Sequence, residues 1–159
     1  MDREVGDVKG NGFVLTDGQL RAELSRCEYC AEKPCREACP AGCSPADFIM
    51  AVKGGEPQDY QRAAAEIMTQ NPLGGICGMV CPDHHCMAAC VHRGFDRPVN
   101  IPAVQATIIA KAKELGVMPR LGAPSVKTGK KVAVVGAGAA GVAAAAVIAQ
   151  AGHTAHILD

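Results

Sequence analysis

The sequence predicts an α-helical domain that wraps two iron–sulfur clusters, ferredoxin-like in function, followed by the first βαβ unit of an α/β dinucleotide-binding Rossmann domain. Two observations predict it. Cysteines fall in two dense runs, Cys27-Glu-Tyr-Cys30-Ala-Glu-Lys-Pro-Cys35-Arg-Glu-Ala-Cys39-Pro40 and Cys77-Gly-Met-Val-Cys81-Pro-Asp-His-His-Cys86-Met-Ala-Ala-Cys90, with helical sequence between them. Near the end, Lys130-Lys-Val-Ala-Val-Val135 runs straight into Gly136-Ala-Gly138-Ala-Ala-Gly141.

Thiolates this closely spaced suit a soft inorganic cluster. In two-cluster ferredoxins three neighbouring cysteines hold one cluster, and the fourth, followed by proline, reaches to the other. Cys27, Cys30, Cys35 and Cys39-Pro40 repeat that logic, so each cluster needs further ligands that only the second run supplies. Zinc is the competitor, because CxxC is also a zinc half-site and His84, His85 and His92 lie close in sequence. The second run offers CxxxxC and CxxxC rather than a matched zinc arm, and the histidines read as surface or cluster-shielding residues. Disulfides fit less well, because nine cysteines is an odd number and Met1-Asp2-Arg3-Glu4 leads into no apolar leader segment. A reducing, cytoplasmic setting is expected.

The 159 residues have room for one domain or two small ones. Sixteen Lys and Arg balance sixteen Asp and Glu, so no net field attracts nucleic acid. With 3% aromatics and no Trp, there is no platform on which bases could stack. Val132 to Gly152 carries no charge and is long enough to span a membrane, but alanine and glycine dominate it and Gly-Ala-Gly breaks its start; no membrane span is predicted.

Residues 1 to 15 alternate charge and glycine and read as an extended arm. A helix from about Asp17 to Arg26, with Leu20 and Leu24 on one face, delivers Cys27. Ser44-Pro45-Ala46-Asp47 is a helix start with Ser44 as N-cap and Pro45 at the first position; that helix carries Phe48, Ile49 and Val52 and stops at Gly54-Gly55. A further helix from about Pro57 to Gln70 ends at Asn71-Pro72, since the residue before proline avoids helical angles. Asn71 to Gly75 turns the chain into the second cysteine run. A last helix begins near Asn100 and is closed by Gly116. Pro119 to Gly129, with two prolines and two glycines, reads as a linker. The domains are therefore 1–118, helical and cysteine-bearing, and 130–159, the start of an incomplete nucleotide-binding domain, with 119–129 between them.

The second motif stands in its full context: strand, glycine turn, alanine-rich helix, then a strand from His153 to Leu158 ending on Asp159. Gly136 permits the tight turn, Gly138 lets backbone approach a pyrophosphate, and Gly141 lets helix and strand pack closely. The helix start at Ala139 and Ala140 offers N–H groups to phosphates, and Asp159 stands where an acid accepts a ribose hydroxyl. A doubly wound domain needs further strands than these, so a longer polypeptide, or a second chain, is expected to complete it.

Together these residues resemble the N-terminal region shared by dihydropyrimidine dehydrogenases and the small subunit of bacterial glutamate synthase. The resemblance runs from about Asp17 to Asp159. Its most specific marks are CxxCxxxxCxxxCP from Cys27 to Pro40, Asn-Pro-Leu-Gly at 71 to 74, Cys-Gly-Met-Val-Cys-Pro at 77 to 82, and the nucleotide fingerprint. It implies two 4Fe–4S clusters, one held by Cys27, Cys30, Cys35 and Cys90, the other by Cys39, Cys81, Cys86 and Gln105. The dehydrogenases resemble this sequence in having Gln at the last position, where the glutamate synthase subunit usually has Glu. One residue fewer separates Cys81 from Cys86 than the dehydrogenase pattern has. Cys43 and Cys77 have no ligand role in the pattern. The resemblance also implies FAD at Gly136 to Gly141, with NAD(P)H as electron donor in the complete protein.

The function expected is an electron-transfer module of an NAD(P)H-dependent iron–sulfur flavoprotein, passing electrons between FAD and a partner subunit or domain within a hetero-complex or larger chain. No side chain reads as a general acid, base or nucleophile. The alternatives are a non-catalytic wiring or assembly subunit, and a zinc-stabilised binding module.

Overall fold

The structure is a computed structural model that describes residues 13–122 and 126–159. The arm expected over residues 1 to 15 therefore lies largely outside the described residues; at its end the Leu15 amide donates to Thr107 Oγ1 at 2.8 Å.

Among the described residues, six helices and a 3₁₀ turn make up the first part. Helix α1 (Asp17–Ser25) opens with a capping box in which Thr16 accepts from the Gln19 amide and the Gln19 side chain accepts from the Thr16 amide. The Thr-x-x-Gln spacing carries that signal in the sequence. Leu20 and Leu24, one turn apart, face the core. Helix α3 (Pro45–Ala51) starts at Ser44 as expected, although Ser44 makes no side-chain cap hydrogen bond, and it ends before Val52 rather than at the glycines. Helix α4 (Pro57–Gln70) buries Tyr60, Ala63, Ala64 and Ile67, the i, i+3, i+4, i+7 stripe of an amphipathic helix. Helix α6 (Ile101–Glu114) is capped by Asn100, whose side chain accepts from the Ala103 amide, and it buries Val104, Ile108 and Ala112. Phe48, Ile49, Val52, Ile67, Val104 and Ile108 form the middle of the core, each at most 1% exposed.

Three elements were not foreseen: α2 (Pro34–Glu37), α5 (Gly74–Val80) and the 3₁₀ turn Val91–Gly94. Each lies in or beside a cysteine run. Helix α5 is the instructive one, because Gly74-Gly75-Ile-Cys-Gly78 has poor helix propensity. Its glycines allow close packing instead. A Cβ at Gly78 would lie 2.5 Å from the Ala106 backbone nitrogen and 2.9 Å from Pro102 O, both on α6. Tertiary contact overrides local preference there.

Strands β1 (Lys131–Val135) and β2 (Thr154–Leu158) flank helix α7 (Ala139–Gln150) and pair in parallel, Lys131 against Thr154 through Val135 against Leu158. Each strand begins one residue later than expected. Val135 and Leu158 remain exposed. No regular element occupies 117–122 or 126–130. Among the described residues no helix is long and apolar enough to cross a membrane.

Candidate iron–sulfur site

Cys27, Cys30 and Cys35 come from the first run and Cys90 from the end of the second. All four line one cleft, together with Ala46 and Ile49 of α3 and Val99 and Ile101 at the start of α6. Two anchors bring the runs together. At the first, Tyr29 and Lys33 adopt left-handed backbone angles, φ 50° and 44°, which fold the loop so that its thiols share one side. Asp47 on α3 fastens that loop, accepting from Lys33 Nζ at 2.6 Å and from the Tyr29 hydroxyl at 3.0 Å. Burial opposes ionisation of Asp47, but these hydrogen bonds outweigh it and hold the carboxyl below its ordinary range.

At the second anchor, Glu23 of α1 is buried, 6% exposed. It accepts from the Asn100 amide at 2.8 Å and pairs with Arg97 at 2.6 Å. Arg26 bonds Asp96 at 2.8 Å and also donates to the Arg97 carbonyl. The end of α1, which delivers Cys27, is thereby tied to the segment that follows Cys90.

Burial pushes the Cys27 thiol up, and the neighbouring Cys30 and Cys90 push it further. Cys35 is raised in the same way, by burial first and then by Cys27. Crowded, half-buried sulfurs resist deprotonation unless a cation compensates them, and a bound metal inverts that logic outright. Among the described residues no three Cys, His, Asp or Glu side chains converge on a single point; these four thiols ring the cleft instead. Four thiols on one cleft are a donor set that fits an iron–sulfur cluster.

Of the other predicted set, Cys39, Cys81 and Cys86 lie near one another, while Gln105 is placed against Gly74. Cys86 is buried and pushed up to about 12, by burial first and then by Cys81 and Cys39. Cys81 caps the end of α5, its amide donating to Cys77 O at 2.8 Å. Gln105 on α6 is buried, and its Nε2 donates to the Gly74 carbonyl at 2.6 Å, tying α6 to the first residue of α5. Cys43 and Cys77 do not stand apart from this set. Cys43 is 2% exposed and is also pushed up to about 12, by burial and then by Cys39, Cys77 and Cys86. The turn after Cys39, closed by the Gly42 amide donating to Cys39 O at 2.9 Å, brings residue 43 back toward it.

His92 is the other residue whose place the sequence did not reveal. It is buried, 7% exposed, and lines the cleft of the four cysteines. The rings of His84 and His85 meet at a tilt of 57°, centroids 4.3 Å apart.

In the β1–α7–β2 unit, Gly136 has φ 97° and its amide donates to Leu158 O at 2.7 Å. A Cβ at Gly141 would lie 1.9 Å from Gly136 O, whereas Gly138 faces open space. Asp159 Oδ1 accepts from the Ala137 amide at 3.2 Å, inside the glycine turn. Ala139 and Ala140 form the first turn of α7.

A helical framework that collects thiols from two runs around a cavity marks an iron–sulfur domain of the electron-transfer kind. Residues 7–117 match the family model for dihydropyrimidine dehydrogenase domain II, 4Fe-4S cluster, and the chain belongs to that family. It is 33% identical over 138 residues to the NAD-dependent dihydropyrimidine dehydrogenase subunit PreT of Escherichia coli (strain K12), covering 86% of this chain and 32% of that one. Against the small chain of glutamate synthase [NADPH] from the same organism it is 34% identical over 147 residues, 91% of this chain and 30% of that one. Against glutamate synthase [NADH] of Schizosaccharomyces pombe (strain 972 / ATCC 24843) it is 32% identical over 153 residues, 95% of this chain and 7% of that one. The chain thus spans about a third of the length of the bacterial relatives.

Proposed function

We propose that this chain is the electron-transfer part of an NAD(P)H-dependent iron–sulfur flavoprotein, acting in the cytoplasm and passing electrons between FAD and a partner subunit or domain. Cys27, Cys30, Cys35 and Cys90 hold one 4Fe–4S cluster; Cys39, Cys81, Cys86 and Gln105 hold a second. Residues 1–118 form the cluster domain, 119–129 the linker, and 130–159 the start of an FAD-binding Rossmann domain. There Gly136, Gly138, Gly141, Ala139 and Ala140 cradle the pyrophosphate and Asp159 accepts from the ribose. The clusters supply one-electron carriers; the chain spaces them, sets their burial and, through a neutral amide in place of one thiolate, lowers the negative charge at the second, which raises its potential.

The observation that carries this reading is that four cysteines from both runs line one cleft. The close approach of Gly141 to Gly136 O and the bond from Ala137 to Asp159 support the nucleotide half. A second reading of one ligand is favoured by the crowding of Cys43 with Cys39 and Cys86: Cys43, rather than Gln105, completes the second set.

Iron and acid-labile sulfide on anaerobically prepared protein test the assignment. About eight irons per chain are expected, falling by about half in Cys35→Ser and in Cys81→Ser; full iron in both variants refutes it. Gln105→Leu and Cys43→Ser, compared for iron retained, separate the two ligand readings.

A further inference from the structure

His92 sits two residues beyond Cys90 in the 3₁₀ turn, held there by the Asp96 and Phe95 amides, which both donate to its carbonyl. Its ring leans on Phe95, centroids 4.7 Å apart. Both ring nitrogens are buried, and neither makes a hydrogen bond. Two carboxylates stand near. Glu28 Oε1 is 3.4 Å from Nε2 and Asp96 Oδ2 is 4.0 Å from Nδ1, but Glu28 is not in bonding geometry and Asp96 is engaged by Arg26 at 2.8 Å. An imidazole always carries at least one N–H, and buried donors are almost always satisfied. The cleft that His92 lines with the four thiols is where an acceptor is missing.

Resting on the cluster assignment above, we propose that His92 donates a ring N–H to a sulfur of the cluster held by Cys27, Cys30, Cys35 and Cys90, and so raises that cluster's reduction potential. Sulfur gains negative charge when the cluster is reduced, so a donor aimed at it favours the reduced state. His92 acts through the cluster's environment as a positioning residue and not as a ligand.

The test uses the chain reconstituted anaerobically with iron and sulfide, comparing wild type with His92→Leu and His92→Phe. Iron content, redox titration and resonance Raman spectra in H₂O and D₂O are read. The expected result is wild-type iron, one potential moved to more negative values while the other stays, and loss of a deuterium-sensitive Fe–S stretch. The shift expected is roughly tenfold in the reduction equilibrium, about 59 mV for one electron. Unmoved potentials at full iron overturn the role of His92 while leaving the cluster assignment intact. Wild type without iron, or full iron in Cys35→Ser, overturns the assignment itself. Should neither His92 variant load iron, wild type still decides, because Fe–S stretches indifferent to deuterium refute the bond.

Discussion

Gly78 on α5 is a position where a single methyl group meets three backbone atoms of a neighbouring helix. Replacing it with alanine puts a Cβ 2.5 Å from the Ala106 nitrogen and 2.9 Å from both Ala106 Cα and Pro102 O. Ordinary contact begins near 3.4 Å, so α5 and α6 must separate by nearly 1 Å. All three obstacles are backbone atoms of α6, which cannot rotate away as a side chain could. Overpacking of this kind costs about 1–3 kcal/mol, and alanine's better helix propensity returns about 1 kcal/mol. Taking the upper end of the clash, Gly78→Ala is expected to lose about 2 kcal/mol. Since α5 leads from Cys77 to Cys81, the displacement should also loosen the thiol set of Cys39, Cys81 and Cys86 while sparing the cleft of Cys27. Urea unfolding followed by circular dichroism, with iron content on the same samples, checks both parts. A variant as stable as wild type, with full iron, would show that α5 and α6 are not packed backbone to backbone.

Gly18 is the matched control: a Cβ there meets nothing within 4 Å, so Gly18→Ala should stabilise the same transition by about 0.5–1 kcal/mol. Glu23→Ala should destabilise by about 2–3 kcal/mol, because it removes a charged acceptor from the Asn100 amide and strands Arg97; the midpoint of urea unfolding reads it. Lys111 of α6 pairs with Asp17 of α1, and the Lys111 hydrogen bond holds the Asp17 carboxyl below its ordinary value. A depressed carboxylate stabilises above its unfolded pKa of about 3.9 and loses that contribution as pH falls through the lower folded value. A carboxyl titration followed by NMR should therefore give Asp17 a depressed pKa that returns to normal in Lys111→Met. Gly141→Val should abolish hydrogen-exchange protection of β1 and β2, since even a methyl group would lie 1.9 Å from Gly136 O.

Most of the helical framework was legible from local chemistry. Helix α4 matches its expected span from Pro57 to Gln70 because proline starts it, Asn71-Pro72 stops it and its apolar stripe has helical period. Helix α6 was readable from Asn100 and Gly116 for similar reasons. What stayed hidden depends on distant partners. Helix α5 contradicts its own propensity and exists through contact with α6. The convergence of Cys90 with Cys27, Cys30 and Cys35 came from resemblance and not from spacing, since the Glu23 anchor that draws the two runs together joins residues 77 positions apart. The same holds for His92: one histidine in a polar stretch carries no mark of burial until the turn after Cys90 folds inward.

The two left-handed residues, Tyr29 and Lys33, imply an order of events during synthesis. Neither is glycine, so the loop holds such angles only while something outside it compensates. Asp47 is made soon after, but Cys90 follows much later. A group gripped at once by Cys27 and Cys90 would close a loop of about sixty residues, a constraint on the unfolded chain of about 4 kcal/mol by the chain-entropy estimate used for cross-links. On the proposal that Cys27 and Cys90 hold one cluster, the first cysteine run stays uncovered in the nascent chain until Cys90 has been made. Over that interval the first cysteine run is at its most vulnerable to oxidation.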